Sequence, residues 1–315
     1  MRAPTKQLPQ AEFVALMAML AATIAFSVDA MLPAMPEIGA DLSPLNLNRA
    51  QLIITSFVLG MGVGTLFTGP LSDAFGRKPV MVGGAIVYVL ACLVAWKAQS
   101  IELMLAARIV QGLGAAGPRV VAMAMTRDLY AGRDMARIMS FIMIVFSLVP
   151  ALAPTMGYYI VGGFGWRAIF LSFIVFCLVA MTWLLIRQPE TLAKENRRPL
   201  SICALMSATA EMFAHRTARL SIFIQTLTFG MLFIVLSSTQ QVFDQTFDQG
   251  DSFHLWFGAI AIIAASGSFL NAKIVVRVGM RAIIKTMFTV QIVLTIIMIA
   301  VTLSDAPYWL AFGTY

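Results

Sequence analysis

The sequence predicts an all-α polytopic membrane protein, and two observations carry that expectation. Of the 315 residues, 60% are hydrophobic and 12% are charged, with a mean hydropathy of +0.86. A typical soluble domain is about 25% charged, and a soluble chain of this size could not hide so much apolar surface. The apolar residues also fall in runs of roughly 20, the length that crosses a ~30 Å hydrocarbon core as a helix. They do not alternate with polar residues over short segments, which argues against an outer-membrane barrel. An ordinary soluble enzyme, a disordered chain and a fibrous protein are excluded.

The elements follow in order. Spans are expected at about 13–33, 51–70, 80–98, 101–124, 138–162, 168–186, 220–239, 254–272 and 284–303, and a tenth starts near Pro307 and is cut off at Tyr315. Arg2 and Lys6 before the first run resemble a signal peptide, but Phe13 to Met31 is too long for a cleaved apolar region, so an uncleaved first span is expected. A polar stretch from Arg187 to Arg219 holds no run of spanning length. It divides the chain into a six-helix N-terminal bundle (1–186), a central cytoplasmic loop (187–218) and an incomplete C-terminal bundle (219–315).

Charge sets the orientation. With a cytoplasmic N-terminus, the inner segments carry 17 Lys and Arg and the outer loops carry only Arg49, Lys97 and Arg167. Such a bias is the positive-inside signal. It accounts for the net charge of +7 without invoking nucleic acid as a partner. Cys92, Cys177 and Cys203 have no metal-ligand spacing and are odd in number, so neither a disulfide framework nor a zinc site is indicated.

Between the second and third spans stands Gly69-Pro70-Leu71-Ser72-Asp73-Ala74-Phe75-Gly76-Arg77-Lys78-Pro79. Gly69 is expected to let helices approach closely, Gly76 to permit a tight turn, and Arg77 and Lys78 to hold the loop inside. The stretch resembles the signature loop of the major facilitator superfamily. Leu105 to Ala116, with Arg108 and the pair Gln111-Gly112, resembles that superfamily's fourth-helix motif. Asp29 to Pro36, Arg127 to Tyr130 and Gly165 to Phe170 resemble marks of the Bcr/CflA-type drug efflux subgroup. Residues 272–281 repeat 69–78 at an offset of 203, with Gly279 matching Gly76, as internal repeats in transporters do. The resemblance implies a major facilitator fold. A membrane enzyme would need a cluster of His, Cys or acids near one face; the two histidines, His215 and His254, are expected on opposite sides and no such cluster stands in the sequence, so no enzyme activity is expected.

Ionisable residues within spans are functional candidates by default. Asp29 lies 16 residues into the first span, about 24 Å along it. Arg108 lies seven residues into the fourth, which runs the other way, so the two charges share a similar depth and pairing is within reach. Moving the cation toward or away from the acid would change the acid's proton affinity. The resemblance implies that Asp29 and Arg108 are the proton-coupling residues, with the proton as coupling ion and no other cofactor. It also implies that Asp73, Arg127 and Asp128, with Gly69, Gly76, Arg77 and Lys78, form an inner gating cluster. Arg119 is read as snorkelling to lipid headgroups.

Pro150, Pro154 and Gly157 in the fifth span are expected to kink that helix. They resemble the antiporter motif, although Ala153 and Tyr158 stand where that motif has glycines. Phe26, and Gln225, Phe229 and Phe233 spaced four apart on the seventh span, are the candidate substrate contacts. The expected function is proton-coupled efflux of small drugs or metabolites across a bacterial inner membrane by alternating access. A proton-linked importer or a truncated, non-transporting product are the alternatives. The expected partners are a small-molecule substrate and the lipid bilayer, without nucleic acid, and the expected state is a monomer.

Overall fold

The computed structural model describes residues 8–246, 249–250 and 252–304, and among these every regular element is helical. α1 (Gln10–Asp29) ends at Asp29. A 3-10 turn (Leu32–Ala34) then leads into the short α2 (Met35–Leu42), and a proline lies in the first turn of each, where its missing amide costs no hydrogen bond. α3 (Leu52–Phe75), α4 (Arg77–Trp96), α5 (Ile101–Leu129), α6 (Gly132–Phe164) and α7 (Arg167–Arg187) follow. Then come α8 (Ile202–Ala214), α9 (Arg216–Gln245), α10 (Phe253–Val278) and α11 (Met280–Leu303).

Nine of these helices fall on the nine expected spans. Seven stretches are long and apolar enough to cross a membrane among the described residues, and α5 is not one of them. Its length suffices, but Arg108, Gln111 and Arg119 lower its apolar content. It lies among other helices, where small and polar residues serve packing rather than lipid contact. In α10 the described apolar stretch is Phe253–Ala264. α8 falls within the central polar stretch, where no element was expected. The start of the tenth span, from Pro307, lies outside the described residues.

The chain divides into two compact units, one ending at Gln240 and the other beginning at Gln241. In the first, α5 packs against α3 and α4, and α1 packs against α5, α6 and α7. In the second, α10 and α11 pack together. Gly76 between α3 and α4 has φ 105° and Gly279 between α10 and α11 has φ 84°. The internal repeat is thus visible in the backbone, since only glycine adopts such angles without strain.

The closest helix approaches lie at other glycines. A methyl group at Gly60 would collide with the Ile109 carbonyl, and one at Gly112 with the Phe57 carbonyl, so α3 and α5 touch backbone to backbone there. Gly84 and Gly114 do the same for α4 and α5. Gly69, expected to serve such an approach, has nothing within 4 Å of where a methyl would go. It lies on the opposite side of α3 from the α5 contact. Pro150 and Pro154 lie inside α6, which continues through both. Gly157 brings α6 onto the end of α1, where a methyl would strike the Ala30 carbonyl.

Candidate functional site

The first cluster forms where α1, α3, α4 and α5 meet. Arg108 on α5 is wholly buried. Its Nη2 donates to the Ser27 carbonyl at 3.0 Å, its Nε to the Ile53 carbonyl at 3.2 Å and its Nη1 to Gln111 Oε1 at 2.8 Å. The guanidinium also stacks 4.5 Å from the centre of the Phe57 ring. The Ser27 carbonyl is available because α1 ends two residues later, leaving its last carbonyls without a helical partner. The Ser27 hydroxyl and the Tyr88 hydroxyl share a 2.6 Å hydrogen bond. Gln111 Nε2 is buried without a hydrogen-bond partner among the described residues.

Every ligand of Arg108 is therefore neutral. Asp29, 5% exposed, makes no hydrogen bond or ion pair among the described residues. The expected nearness is present, since Arg108 reaches α1 two residues before Asp29, but the ion pair is not. Three neutral acceptors and an aromatic face take up the guanidinium instead.

The second cluster lies at the Gly76 turn. Arg77 donates to both carboxylates, to Asp73 through Nη1 and to Asp128 through Nε at 2.9 Å. Its Nη1 also reaches Ser72 Oγ at 2.7 Å. Arg77 is thus the cation that joins Asp73 to Asp128. Arg127 was expected in this role, but it is exposed and has no ion pair among the described residues. Neighbouring residues on a helix point about 100° apart, so once Asp128 faces the turn, Arg127 faces away.

Sequence reasoning missed Glu190. Its carboxylate accepts from the Arg77 and Lys78 amides at 3.0 Å each, which are the first amides of α4, and from the Thr191 and Leu192 amides. It thereby satisfies orphan donors at a helix start, where the dipole also favours an anion. Thr191 Oγ1 donates to Asp128 at 2.9 Å, Lys78 Nζ to the Gln188 carbonyl at 2.6 Å, and the Arg198 amide to the Asp73 carbonyl at 3.1 Å. The start of the central stretch is stitched to the α3–α4 turn. An acid directly after a proline in an otherwise basic stretch was the available signal.

Comparison with known proteins decides the family. The family model described as Major Facilitator Superfamily matches residues 15–315. The chain belongs to the Major Facilitator Superfamily. A bicyclomycin resistance protein homolog of Haemophilus influenzae is 33% identical over 94% of this chain and 75% of its own length. A multidrug resistance protein MdtL of Salmonella typhi is 33% identical over 71% of the chain and 56% of that protein. The crystal structure of a D-xylose–proton symporter matches with a TM-score of 0.73 at 15% identity, covering 96% of this chain and 77% of that one. That likeness concerns the fold. The Bcr/CflA resemblance stands, the chain is a multi-pass membrane transporter, and the family is not one of enzymes.

Within this superfamily member, the remaining candidates do not gather at one place. Phe26 is buried in helix packing, its ring 5.4 Å from Phe173 and 5.2 Å from Phe176 of α7. Phe229 and Phe233 stack on each other at 6.5 Å on α9, and Gln225 is exposed one turn before them. Arg119 is exposed near the far end of α5, where a long side chain can reach headgroups. At the end of the bundle opposite Gly76, Arg167 donates to Asp41 at 2.8 Å and lies 4.1 Å over the Trp166 ring. Arg49 there pairs with Glu102 at 2.7 Å.

Proposed function

We propose that this superfamily member exports small drugs or metabolites across a bacterial inner membrane by alternating access, driven by protons. Its N-terminus is cytoplasmic, the Gly76 end of the bundle is the inner end, and it acts as a monomer of two bundles separated by the central stretch. The observation that carries the reading is Asp29, a buried acid without a cationic partner, two residues from a carbonyl held by Arg108. Such an acid can exchange a proton without first breaking an ion pair. A shift of α1 against α5 would bring the guanidinium from the Ser27 carbonyl to the carboxylate, and that change in neighbours alters proton affinity. A proton moving inward releases about 2.3 kcal/mol per 100 mV, which can drive a substrate outward.

The resistance proteins among the relatives support export of drug-like molecules. The charge bias of 17 to 3 supports the orientation. Arg77, bridging Asp73 and Asp128, acts as the inner gate and holds the inner ends of α3, α4 and α5 together when that side is closed. Phe229 and Phe233 remain the candidate substrate contacts. The test is a pH gradient imposed across vesicles that contain the protein and labelled bicyclomycin. Flow of the drug against the proton flow supports export. Co-flow supports the importer reading, for which the altered glycines of the fifth-span motif leave room.

A further inference from the structure

α8 (Ile202–Ala214) stands apart from the spanning helices. α9 carries an apolar stretch long enough to cross a membrane. α8 is two-faced instead. Leu205, Met206, Thr209, Met212 and Phe213 fall within an arc of about 120° at 3.6 residues per turn, and Met206, Met212 and Phe213 are 68%, 45% and 46% exposed. Thr209 fits this face because its hydroxyl is turned back onto the Leu205 carbonyl at 2.8 Å. Cys203, Ser207 and Glu211 lie on the other side and are exposed.

At 13 residues the helix is about 20 Å long, too short to cross a ~30 Å core. Cations flank it. Arg198 precedes it, and Arg216 and Arg219 follow it. All three side chains are exposed and have no ion-pair partner among the described residues. A short helix with one apolar face and cations at both ends has the chemistry of an interfacial helix, and each cation is drawn to an anionic leaflet.

We propose that α8 lies flat in the membrane interface, with Met206, Met212 and Phe213 among the acyl chains and Arg198, Arg216 and Arg219 on anionic lipid headgroups. The helix joins α7 to α9, so this docking fixes the height at which the two spans enter the bilayer. The assignment to the cytoplasmic leaflet rests on the orientation proposed above. The experiment below uses symmetric vesicles, so its outcome does not depend on that orientation or on export.

Nitroxide labels are attached to Met206→Cys, Phe213→Cys, Ser207→Cys and Glu211→Cys, each with Cys203→Ser, in the whole chain reconstituted into phosphatidylglycerol-containing or phosphatidylcholine vesicles. Collision with oxygen reports lipid, and collision with a nickel chelate reports water. The expected result is an oxygen-to-nickel ratio several-fold higher at 206 and 213 than at 207 and 211. The contrast should be larger with phosphatidylglycerol and reduced in an Arg198→Gln, Arg216→Gln, Arg219→Gln variant. Equal nickel access at all four positions overturns the proposal, because the helix is then solvated. Exclusion of both reagents at 206 and 213 also overturns it, because protein then covers that face. A contrast equal in both lipids overturns the anionic headgroup assignment.

Discussion

Arg108 Nη2 lies 3.0 Å from the main-chain oxygen of Ser27, and Asp29 follows two residues later on the same helix. A cation from α5 therefore grips the end of α1 through a neutral acceptor rather than through the acid. The buried cation thus meets the end of the helix that carries the buried acid without an ion pair between the two. Ser27 is also tied to Tyr88 of α4, so the end of α1 is held from two sides.

Arg108 carries three hydrogen bonds and a ring contact on one planar group, which an ammonium cannot reproduce. Arg108→Lys is expected to lose transport and stability together. Arg108→Ala should cost about 3 kcal/mol, because carbonyls and an amide oxygen are left buried without donors. Thermal unfolding in detergent measures both. A lysine variant as stable as the parent would contradict the role of the fork geometry.

The glycine positions separate sharply. Gly60→Ala and Gly112→Ala place a methyl into the backbone of the facing helix, and a loss of about 1–3 kcal/mol is expected for each. Gly69→Ala meets open space and is expected to be neutral or stabilising by about 0.5–1 kcal/mol, as alanine is within a helix. Melting temperatures of the three variants check the order. If Gly69→Ala proved the most damaging, the α3–α5 contact described above would be misplaced.

Glu190→Gln keeps the side chain's size but halves its acceptors and removes its charge. The first amides of α4 and the turn after Glu190 then lose their cap, at a cost of about 1–2 kcal/mol. Limited proteolysis should show faster cutting between Glu190 and Arg198, with α4 still inserted. Cutting at the parent rate would show that this stretch is held by other contacts.

Arg127 and Asp128 are adjacent and should behave differently. Asp128→Asn removes the charge that pairs with Arg77 and leaves one oxygen for the donors of Arg77 and Thr191, and should raise exposure of the Gly76 turn to water-soluble thiol reagents at an introduced Ser72→Cys. Arg127→Gln should leave that labelling unchanged. Equal labelling in both variants would return Arg127 to the cluster.

Much of the fold was legible because membrane helices follow from one physical demand, a continuous apolar stretch of spanning length. The Gly76 turn was legible too, since a glycine between two helices followed by two cations has few other uses. What could not be read was which partner each charge takes. The nearness of Arg108 to α1 followed from counting residues, but its bond to Ser27 depends on where α1 ends, and the apolar run continued past Asp29 to Met31. Arg77 rather than Arg127 binds Asp128 because of helix rotation, which spacing along the chain does not fix. Glu190 lies over 110 residues from the amides it caps, so its place after Pro189 marked the acid but not the amides it would meet. The packing of Phe26 was hidden for a similar reason: an aromatic residue on α1 is equally suited to a ligand or to the rings of α7, which it meets here.

The central claim is that Asp29 exchanges the coupling proton. The most direct measurement compares the parent, Asp29→Asn and Asp29→Glu for bicyclomycin transport driven by an imposed pH gradient in vesicles, with insertion checked by yield and melting temperature. The account predicts that Asp29→Asn inserts and folds like the parent but loses gradient-driven transport, while Asp29→Glu keeps part of it. Gradient-driven transport by Asp29→Asn at the parent's rate would contradict it.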